Sequence, residues 1–200
     1  ITAQTTALRI QLKNSFELTL EYFNNALLSS RNLWVLLNYG YFLAEHNQYH
    51  LAIPIYREAV AILELNKPNK KNNEYNDTLA GTLNNLAALE DNNNEYEQAR
   101  EHYLEALNIY RELAETNPNA YRPHVAMTLN NLAILEYNNN EYEQAREHYL
   151  EALNIYRELA ETNPNAYRPH VAMTLNNLAI LEYNNNEYEQ AREHYLEALN

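Results

Sequence analysis

The side chains in this sequence that could do chemistry are histidine–glutamate pairs. His102 stands three residues before Glu105, and the same local sequence returns around His148 and His194. Residues three apart share one face of a helix, so such a pair could hold a metal ion. A solvated histidine–glutamate face explains the pattern without a ligand, and we take it as the default. We therefore expect no metal and no cofactor.

The patterns that mark catalysis are missing from the sequence. There is no cysteine, and therefore no thiolate nucleophile, and no serine–histidine–aspartate arrangement stands out. The two glycines, Gly40 and Gly81, are too few for a glycine-rich loop around a phosphate. The sequence predicts a protein that is not an enzyme.

Pairs of asparagines recur inside helical patterns, at residues 84–85, 130–131 and 176–177. Asparagine is a weak helix former, by up to about 0.7 kcal/mol relative to alanine, so its repetition needs a reason. A carboxamide both donates and accepts hydrogen bonds, so it could pair with the backbone of a ligand. Alternatively, one asparagine of each pair ties adjacent helices together. Both interpretations stay open at this point.

The composition restricts the partner. The 200 residues carry a formal net charge of −13, which argues against nucleic acid, because phosphate neutralisation needs clustered lysine and arginine. No apolar run approaches the roughly 18 residues of a membrane span, so no membrane partner is expected. An acidic surface favours a neutral or basic protein or peptide.

Most of the chain is one sequence written nearly three times. The copies begin at Thr82, Thr128 and Thr174, so the period is 128 − 82 = 46 and again 174 − 128 = 46 residues. A fixed period of this size indicates stacked structural repeats. Copied helices form a long periodic surface, which suits binding better than catalysis.

Each repeat encodes two helices. We expect the first to begin at Pro123, where a missing N–H costs nothing, and the second near Glu141. The asparagines 138–140 interrupt the helical pattern, and asparagine tolerates the left-handed backbone that such a turn needs. The polar stretch 65–77 is predicted to be the longest loop.

The order of small and aromatic residues resembles the tetratricopeptide repeat, in its long-period, kinesin-light-chain-like form. The frame is Ala87, Tyr96, Ala99, Tyr103 and Ala106, it returns in both later copies, and it fits upstream from Gly40. The resemblance implies an all-α, right-handed superhelical solenoid of helix–turn–helix repeats. We divide this single solenoid into a degenerate repeat or cap (1–31), three repeats (32–78, 79–124 and 125–170) and a partial repeat (171–200).

The resemblance also implies a binding site, because in this family the first helices line a concave groove that takes extended peptides or partner helices. Transferred by position, the groove residues are Trp34, Asn38, Tyr41, Asn84, Asn85, Asn130, Asn131, Ile134, Tyr137, Asn138, Asn176, Asn177, Ile180 and Tyr183. The expected function is a non-catalytic protein-interaction scaffold. The alternatives are a structural spacer, a self-stacking module, or the sensory half of a signalling protein.

The last helical pattern presents apolar residues to no following copy. Tyr195, Leu196 and Leu199 would pack on the next repeat in an internal position. We therefore expect this edge to be covered, either by further repeats or by end-to-end self-association.

Overall fold

The computed structural model describes residues 3–70 and 72–199, with side chains from residue 15 onward, and these residues form helices without strands. The helices are α1 (Ala3–Ser29), α2 (Leu33–Glu45), α3 (Tyr49–Leu65), α4 (Asn73–Asn92), α5 (Tyr96–Thr116), α6 (Pro118–Asn138), α7 (Tyr142–Thr162), α8 (Pro164–Asn184) and α9 (Tyr188–Ala198). None of those described is long and apolar enough to cross a membrane. The chain divides into two compact units, Ile1–Asn66 and Lys67–Asn200.

The first unit is built around α2 and α3. Leu36, Leu43, Ala52 and Ala59 are fully buried between them. The Tyr56 ring packs directly on Gly40, where an added Cβ would come within 2.7 Å of a ring carbon. Glycine therefore occupies the small-residue position of the frame because the aromatic ring leaves no room for alanine.

The second unit consists of three helix pairs, in which each helix packs on the next along the chain. We call α4, α6 and α8 the first helices, and α5, α7 and α9 the second helices. One core cluster joins α6, α7 and α8 through Ala133, Ala145, Tyr149, Leu153, Leu175, Leu178 and Leu181. Small alanines let the helices approach, and leucine and tyrosine fill the remaining space.

The turn inside each pair is made by an asparagine with left-handed backbone. Asn94, Asn140 and Asn186 have φ of 62°, 64° and 64°, and Asn47 of the first unit has φ of 56°. The prediction that asparagine replaces glycine at these turns is confirmed, because its short polar side chain tolerates that conformation.

The prediction that the first helix begins at Pro123 is wrong. Helix α6 begins at Pro118, and Pro123 lies inside it. The Asn117 side chain accepts a hydrogen bond from the Ala120 N–H at 3.3 Å, which caps the helix one position before Pro118. Asn117 also ends α5, so a single residue joins two helices. Asn163 does the same between α7 and α8.

The polar stretch between the two units is also shorter than predicted. Helix α3 ends at Leu65 and α4 begins at Asn73, so residues 73–77 of the expected loop are helical. The Asn72 side chain accepts from the Tyr75 N–H at 3.1 Å and so starts α4 early.

Candidate functional site

From residue 125 onward, helix α6 is enclosed by its neighbours except along one line of residues. On α6 this line is Met127, Asn131, Ile134 and Asn138, with buried residues on both sides. The spacing of four, three and four residues keeps them on one face of the helix. We call this line and its copies the first-helix stripe; it comprises Gly81, Asn85, Ala88, Asp91 and Asn92 on α4, Met127, Asn131, Ile134, Tyr137 and Asn138 on α6, and Met173, Asn177, Ile180, Tyr183 and Asn184 on α8.

Side-chain hydrogen bonds join the stripe across neighbouring helices. The Asn184 amide donates to the Tyr137 hydroxyl. The Asn177 amide lies 3.5 Å from Asn130 Oδ1. Since α6 and α8 meet along these residues, their stripes form one surface with asparagine, aromatic and aliphatic side chains side by side. The predicted groove residues Ile134, Tyr137, Asn138, Ile180 and Tyr183 all lie on it.

The two asparagines of each pair occupy different environments. Asn84 and Asn130 are buried. Thr128 donates to Asn84 Oδ1 at 3.1 Å, and Thr174 donates to Asn130 Oδ1 at 3.3 Å. These carboxamides tie one first helix to the next, which is the second of the two interpretations of the pairs. The second asparagines reach solvent, since Asn85 is exposed and Asn131 and Asn177 are half-buried. The third copy of the first asparagine, Asn176, is exposed.

The first unit has its own line of exposed residues on α2. Trp34, Asn38 and Tyr41 follow one another at the same spacing of four and three, and Trp34 is 67% exposed. The Asn38 amide donates to the Trp34 carbonyl at 2.8 Å, which holds its side chain along the helix. These three residues therefore share one solvent-facing side of α2.

A buried charge cluster, which sequence reasoning missed, recurs between the helix pairs. Glu136 is 3% exposed, with His148 Nδ1 at 2.7 Å and Arg100 Nη1 at 3.7 Å. Arg100 also pairs with Glu141. The cluster joins one helix pair to the next, because Arg100 lies on α5 while Glu136 and His148 lie on α6 and α7.

The same cluster appears in the neighbouring copies. Glu182 lies 2.8 Å from His194 Nδ1 and 3.4 Å from Arg146 Nη1. Glu90 lies 2.6 Å from His102 Nδ1. The default interpretation of His102 as part of a solvated face is therefore wrong, since its partner is the buried Glu90. The available signal was a glutamate that stands twelve residues before each histidine in all three copies.

No group of three or more histidine, cysteine, aspartate or glutamate side chains in the described part of the chain is arranged to hold a metal ion. Tyr103, Tyr110, Tyr149 and Tyr156 of α5 and α7 are core residues. Burial raises the pKa of Tyr156 to about 12, and the charge of Tyr167 adds a smaller contribution in the same direction. Burial also raises the pKa of Tyr149, and Tyr137 and Glu136 add to it. These phenols stay protonated and pack, so they offer no general base.

Three basic residues near the start of α6 and α8, Arg122, His124 and His170, are engaged within the second unit. Arg122 pairs with Glu158. His124 stacks on Tyr110 with ring centroids 5.0 Å apart, and His170 stacks on Tyr156 at the same distance. Their place in the structure is explained by packing without an external acidic group.

Comparison with known proteins identifies the repeat. A family profile described as the tetratricopeptide repeat matches residues 78–158 and 124–200, which together exceed half of the chain. A comparison with curated proteins found no match.

Solved structures share the fold at low sequence identity. BtubC (BKLC) from P. vanneervenii superposes with a TM-score of 0.67 at 24% identity, covering 93% of this chain and 70% of that one. RapI in its apo form gives 0.71 at 18% identity, covering 93% of this chain and 48% of RapI. The nearly identical TPR-like repeats of a Podosopora anserina kinesin light chain give 0.69 at 15%, covering 97% and 90%. The predicted all-α solenoid of helix–turn–helix repeats is confirmed.

Proposed function

Because the chain belongs to the tetratricopeptide repeat family, we propose that it is a protein-interaction scaffold whose first-helix stripe binds a linear peptide or a partner helix. The observation that carries the proposal is the stripe itself. It brings an asparagine to matching solvent-facing positions on α4, α6 and α8, and methionine, isoleucine and tyrosine to matching positions on α6 and α8. A ligand lying across the helices would therefore meet a repeating set of contacts.

The chemistry of the stripe suits an extended backbone. Each copy offers an outward carboxamide in the middle of the helix, from Asn85, Asn131 or Asn177, that can donate to a carbonyl and accept from an N–H. On α6 and α8, methionine, isoleucine and tyrosine beside it add adaptable apolar area. Asn84 and Asn130 would contribute indirectly, since their hydrogen bonds hold neighbouring first helices at a fixed spacing. Trp34, Asn38 and Tyr41 give α2 a comparable set of groups.

A structural neighbour supports the peptide as the ligand class. The Rap conjugation gene regulator of plasmid pLS20, solved in complex with the Phr* peptide, superposes with a TM-score of 0.64 at 16% identity. This chain covers 42% of that protein, so the likeness concerns the repeat fold. The proposal for this chain rests on its own stripe.

Charge narrows the proposed ligand to a neutral or basic one. The stripe contains no lysine or arginine, and its one ionisable acid is Asp91 on α4. Burial raises the pKa of the Asp91 carboxyl. A cationic group of the ligand near Asp91 would favour the ionised carboxylate, whereas an acidic ligand would meet no cation on the stripe. The net charge of −13 steers partners in the same direction.

Selection from a random peptide library tests the proposal, because binding itself picks out the ligand. The native chain is the bait, and the matched variant carries Asn85→Ala, Asn131→Ala and Asn177→Ala. We expect peptides enriched on the native chain to lose at least about tenfold in affinity for the variant, because three outward carboxamides are removed. Circular dichroism first establishes that both proteins are equally helical.

The control variant removes asparagines from the other side of the second unit. Asn108 and Asn154 are exposed on α5 and α7, so Asn108→Ala with Asn154→Ala leaves the stripe intact. Selected peptides should bind this control as they bind the native chain. Equal binding to all three proteins, or the absence of any enriched peptide, would instead favour a spacer.

A further inference from the structure

The copies of the first-helix stripe differ in one residue of the last helical turn. Asp91 of α4 stands where α6 and α8 have Tyr137 and Tyr183. The backbone after the first two is the same, since the turn residues Asn94 and Asn140 have φ of 62° and 64°. Their N–H groups donate to the Asp91 and Tyr137 carbonyls, both at 3.0 Å. The carboxylate and the phenol therefore start from equivalent backbone positions.

A tyrosine at this position covers two neighbours. The Tyr137 ring packs on Tyr142 at the start of α7, with ring centroids 5.8 Å apart, and its hydroxyl accepts from the Asn184 amide of α8. Tyr183 also packs on Tyr188, with ring centroids 5.3 Å apart. The tyrosine thus closes the surface both toward the second helix of its own pair and toward the next first helix.

Asp91 leaves the equivalent neighbours uncovered. These are Tyr96 at the start of α5 and Asn138 of α6. Among the described residues, Tyr96 has no ring packed against it and Asn138 makes no hydrogen bond to Asp91, because a carboxylate ends closer to its backbone than a phenol does. The Tyr96 hydroxyl donates to Asn94 Oδ1 at 2.7 Å, which holds the ring in place. A notch lined by Asp91, Tyr96 and Asn138 therefore replaces the tyrosine of the other copies.

The carboxylate in this notch has no cation beside it. Asp91 is half-buried, and in the part of the chain that the structure describes no lysine, arginine or histidine pairs with it. Burial raises its pKa. Burial, with the charge of Asp91 second, also raises the pKa of the nearby Tyr103 phenol. An ammonium or guanidinium group in the notch would compensate the partly desolvated charge and would lie against the face of an aromatic ring.

We propose that Asp91, Tyr96 and Asn138 form the site for a single lysine or arginine side chain of the bound peptide. The carboxylate pairs with the cation, the ring lies against it, and the carboxamide oxygen accepts a hydrogen bond from it. This inference rests on the proposed function and adds a requirement at one position of the ligand.

The basic side chain also fixes where the peptide lies along the stripe. The stripes of α6 and α8 have the same five residues in the same order, so by themselves they would accept a peptide displaced by one repeat. Asp91 is present on α4 alone among the three described first helices. Pairing with it therefore determines which residue of the peptide faces which helix.

Peptides selected from the random library on the native chain are the probes. We expect them to share a lysine or arginine at one fixed position. Asp91→Asn keeps the shape of the side chain and removes its charge, so it should weaken such a peptide by about tenfold or more, as measured by fluorescence anisotropy. The same peptide with methionine at the basic position should bind the native chain and Asp91→Asn equally, which completes a double-mutant cycle.

Glu112→Gln is the matched control for charge. It removes one carboxylate from an exposed position of α5, outside the stripe, and so changes the net charge as Asp91→Asn does. It should change the affinity for the basic peptide by less than about twofold, because an exposed charge at a distance is screened by salt. Equal losses for Asp91→Asn and Glu112→Gln would show attraction by net charge and would overturn the proposed site.

Moving the acid by one repeat tests whether it fixes the position of the peptide. Asp91→Tyr gives α4 the residue of the other copies, and selection on this variant should no longer enrich a basic residue. Adding Tyr137→Asp should restore that enrichment, since the notch would then form with Tyr142 and Asn184. Circular dichroism first establishes that both variants are as helical as the native chain.

The outcomes separate this inference from the proposed function. Selected peptides that depend on Asn85, Asn131 and Asn177 but share no basic residue, or that bind Asp91→Asn as tightly as the native chain, would overturn the site and leave the peptide-binding stripe standing. The absence of any enriched peptide, or equal binding to the triple asparagine variant, would overturn both.

Discussion

The two units carry the same repeat frame with opposite chemistry at one buried position. In the second unit, Glu90, Glu136 and Glu182 sit inside, each paired with a histidine, and Glu136 and Glu182 also lie near an arginine. With the frame aligned from Tyr49 to Tyr96, the first unit has Leu43 where the second has Glu90. It likewise has Ile53 and Ile55 where the second has Arg100 and His102. Leu43 and Ile53 are buried. The same helix–turn–helix frame therefore accepts either charged or apolar residues at these three positions.

The difference teaches what the charge cluster contributes. An apolar layer tolerates a helix displaced along its neighbour, whereas a displaced α6 would bury the Glu136 carboxylate without Arg100 or His148. Buried ion pairs add little net stability but penalise wrong arrangements strongly. Near-identical repeats could pack on one another in several wrong registers that have a similar shape. The first unit has no near-identical copy and does not face this problem. We infer that the cluster fixes the register of the repeats.

The largest expected effect comes from removing the partners of one buried carboxylate. Arg100→Ile with His148→Ile leaves Glu136 buried and unpaired. We expect the free energy of unfolding of the second unit to fall by about 3–5 kcal/mol. Urea unfolding followed by circular dichroism measures it.

The control is a pair of the same chemistry at the surface. Arg111 and Glu151 lie 2.7 Å apart with both side chains nearly half exposed. Arg111→Ile should cost under about 1 kcal/mol, because exposed pairs are screened by water. Similar losses at the two places would mean that Glu136 is not desolvated as described.

The next largest effect is expected from filling the space at Gly40 in the first unit. Gly40→Ala would put a Cβ within 2.7 Å of the Tyr56 ring, so we expect a loss of about 1–3 kcal/mol from overpacking. A Cβ added at Gly81 on α4 meets only the Tyr110 hydroxyl, at 3.4 Å. Gly81→Ala should therefore raise the free energy of unfolding by about 0.5–1 kcal/mol, because alanine is a better helix former than glycine. Thermal unfolding of both variants measures whether each is more or less stable than the native chain. A change in the same direction for both would contradict the packing described.

A third substitution tests the comparison by replacing all the buried charges of the cluster with apolar side chains. Adding Glu136→Leu to Arg100→Ile and His148→Ile gives these three positions the residue types that the first unit has at the matching positions of the frame. We expect the triple variant to recover to within about 1 kcal/mol of the native chain, since an apolar layer replaces the stranded carboxylate. A triple variant less stable than the double one would show that the apolar layer fits only the first unit.

The smallest effect concerns alkaline pH. Burial raises the pKa of Tyr156 to about 12, so the folded state holds this proton more tightly than the unfolded one. Its contribution to stability is complete below the ordinary tyrosine pKa of about 10 and is lost as pH rises through about 12. Tyr156→Phe should raise the alkaline midpoint of helix loss by roughly a few tenths of a pH unit. Tyr183→Phe, at an exposed ring, should leave that midpoint unchanged.

Local chemistry could be predicted from the sequence, and contacts between repeats could not. The left-handed turn at Asn140 depends on one residue and its neighbours, so the pattern indicated it. The start of α6 was misplaced because Pro118 and Pro123 both suit a first turn, and the Asn117 cap decides between them.

The charge cluster was missed for a different reason. His148 and Glu136 lie on different helices, and Arg100 stands 36 residues before Glu136. The carboxylates nearest to His148 in sequence lie on α7 itself, but its partner is Glu136 on α6. The roles of the two asparagines in each pair also depend on the neighbouring first helix, because Thr128 alone makes Asn84 a structural residue.

The single-residue joints at Asn117 and Asn163 have a genetic consequence. Because the copies follow one another with a fixed period of 46 residues, a crossover between two copies of the coding sequence removes or adds a whole repeat in frame. Every junction so created has the same cap, the same proline and the same facing helix as before. The array can therefore change length by unequal recombination while each remaining interface keeps its native contacts.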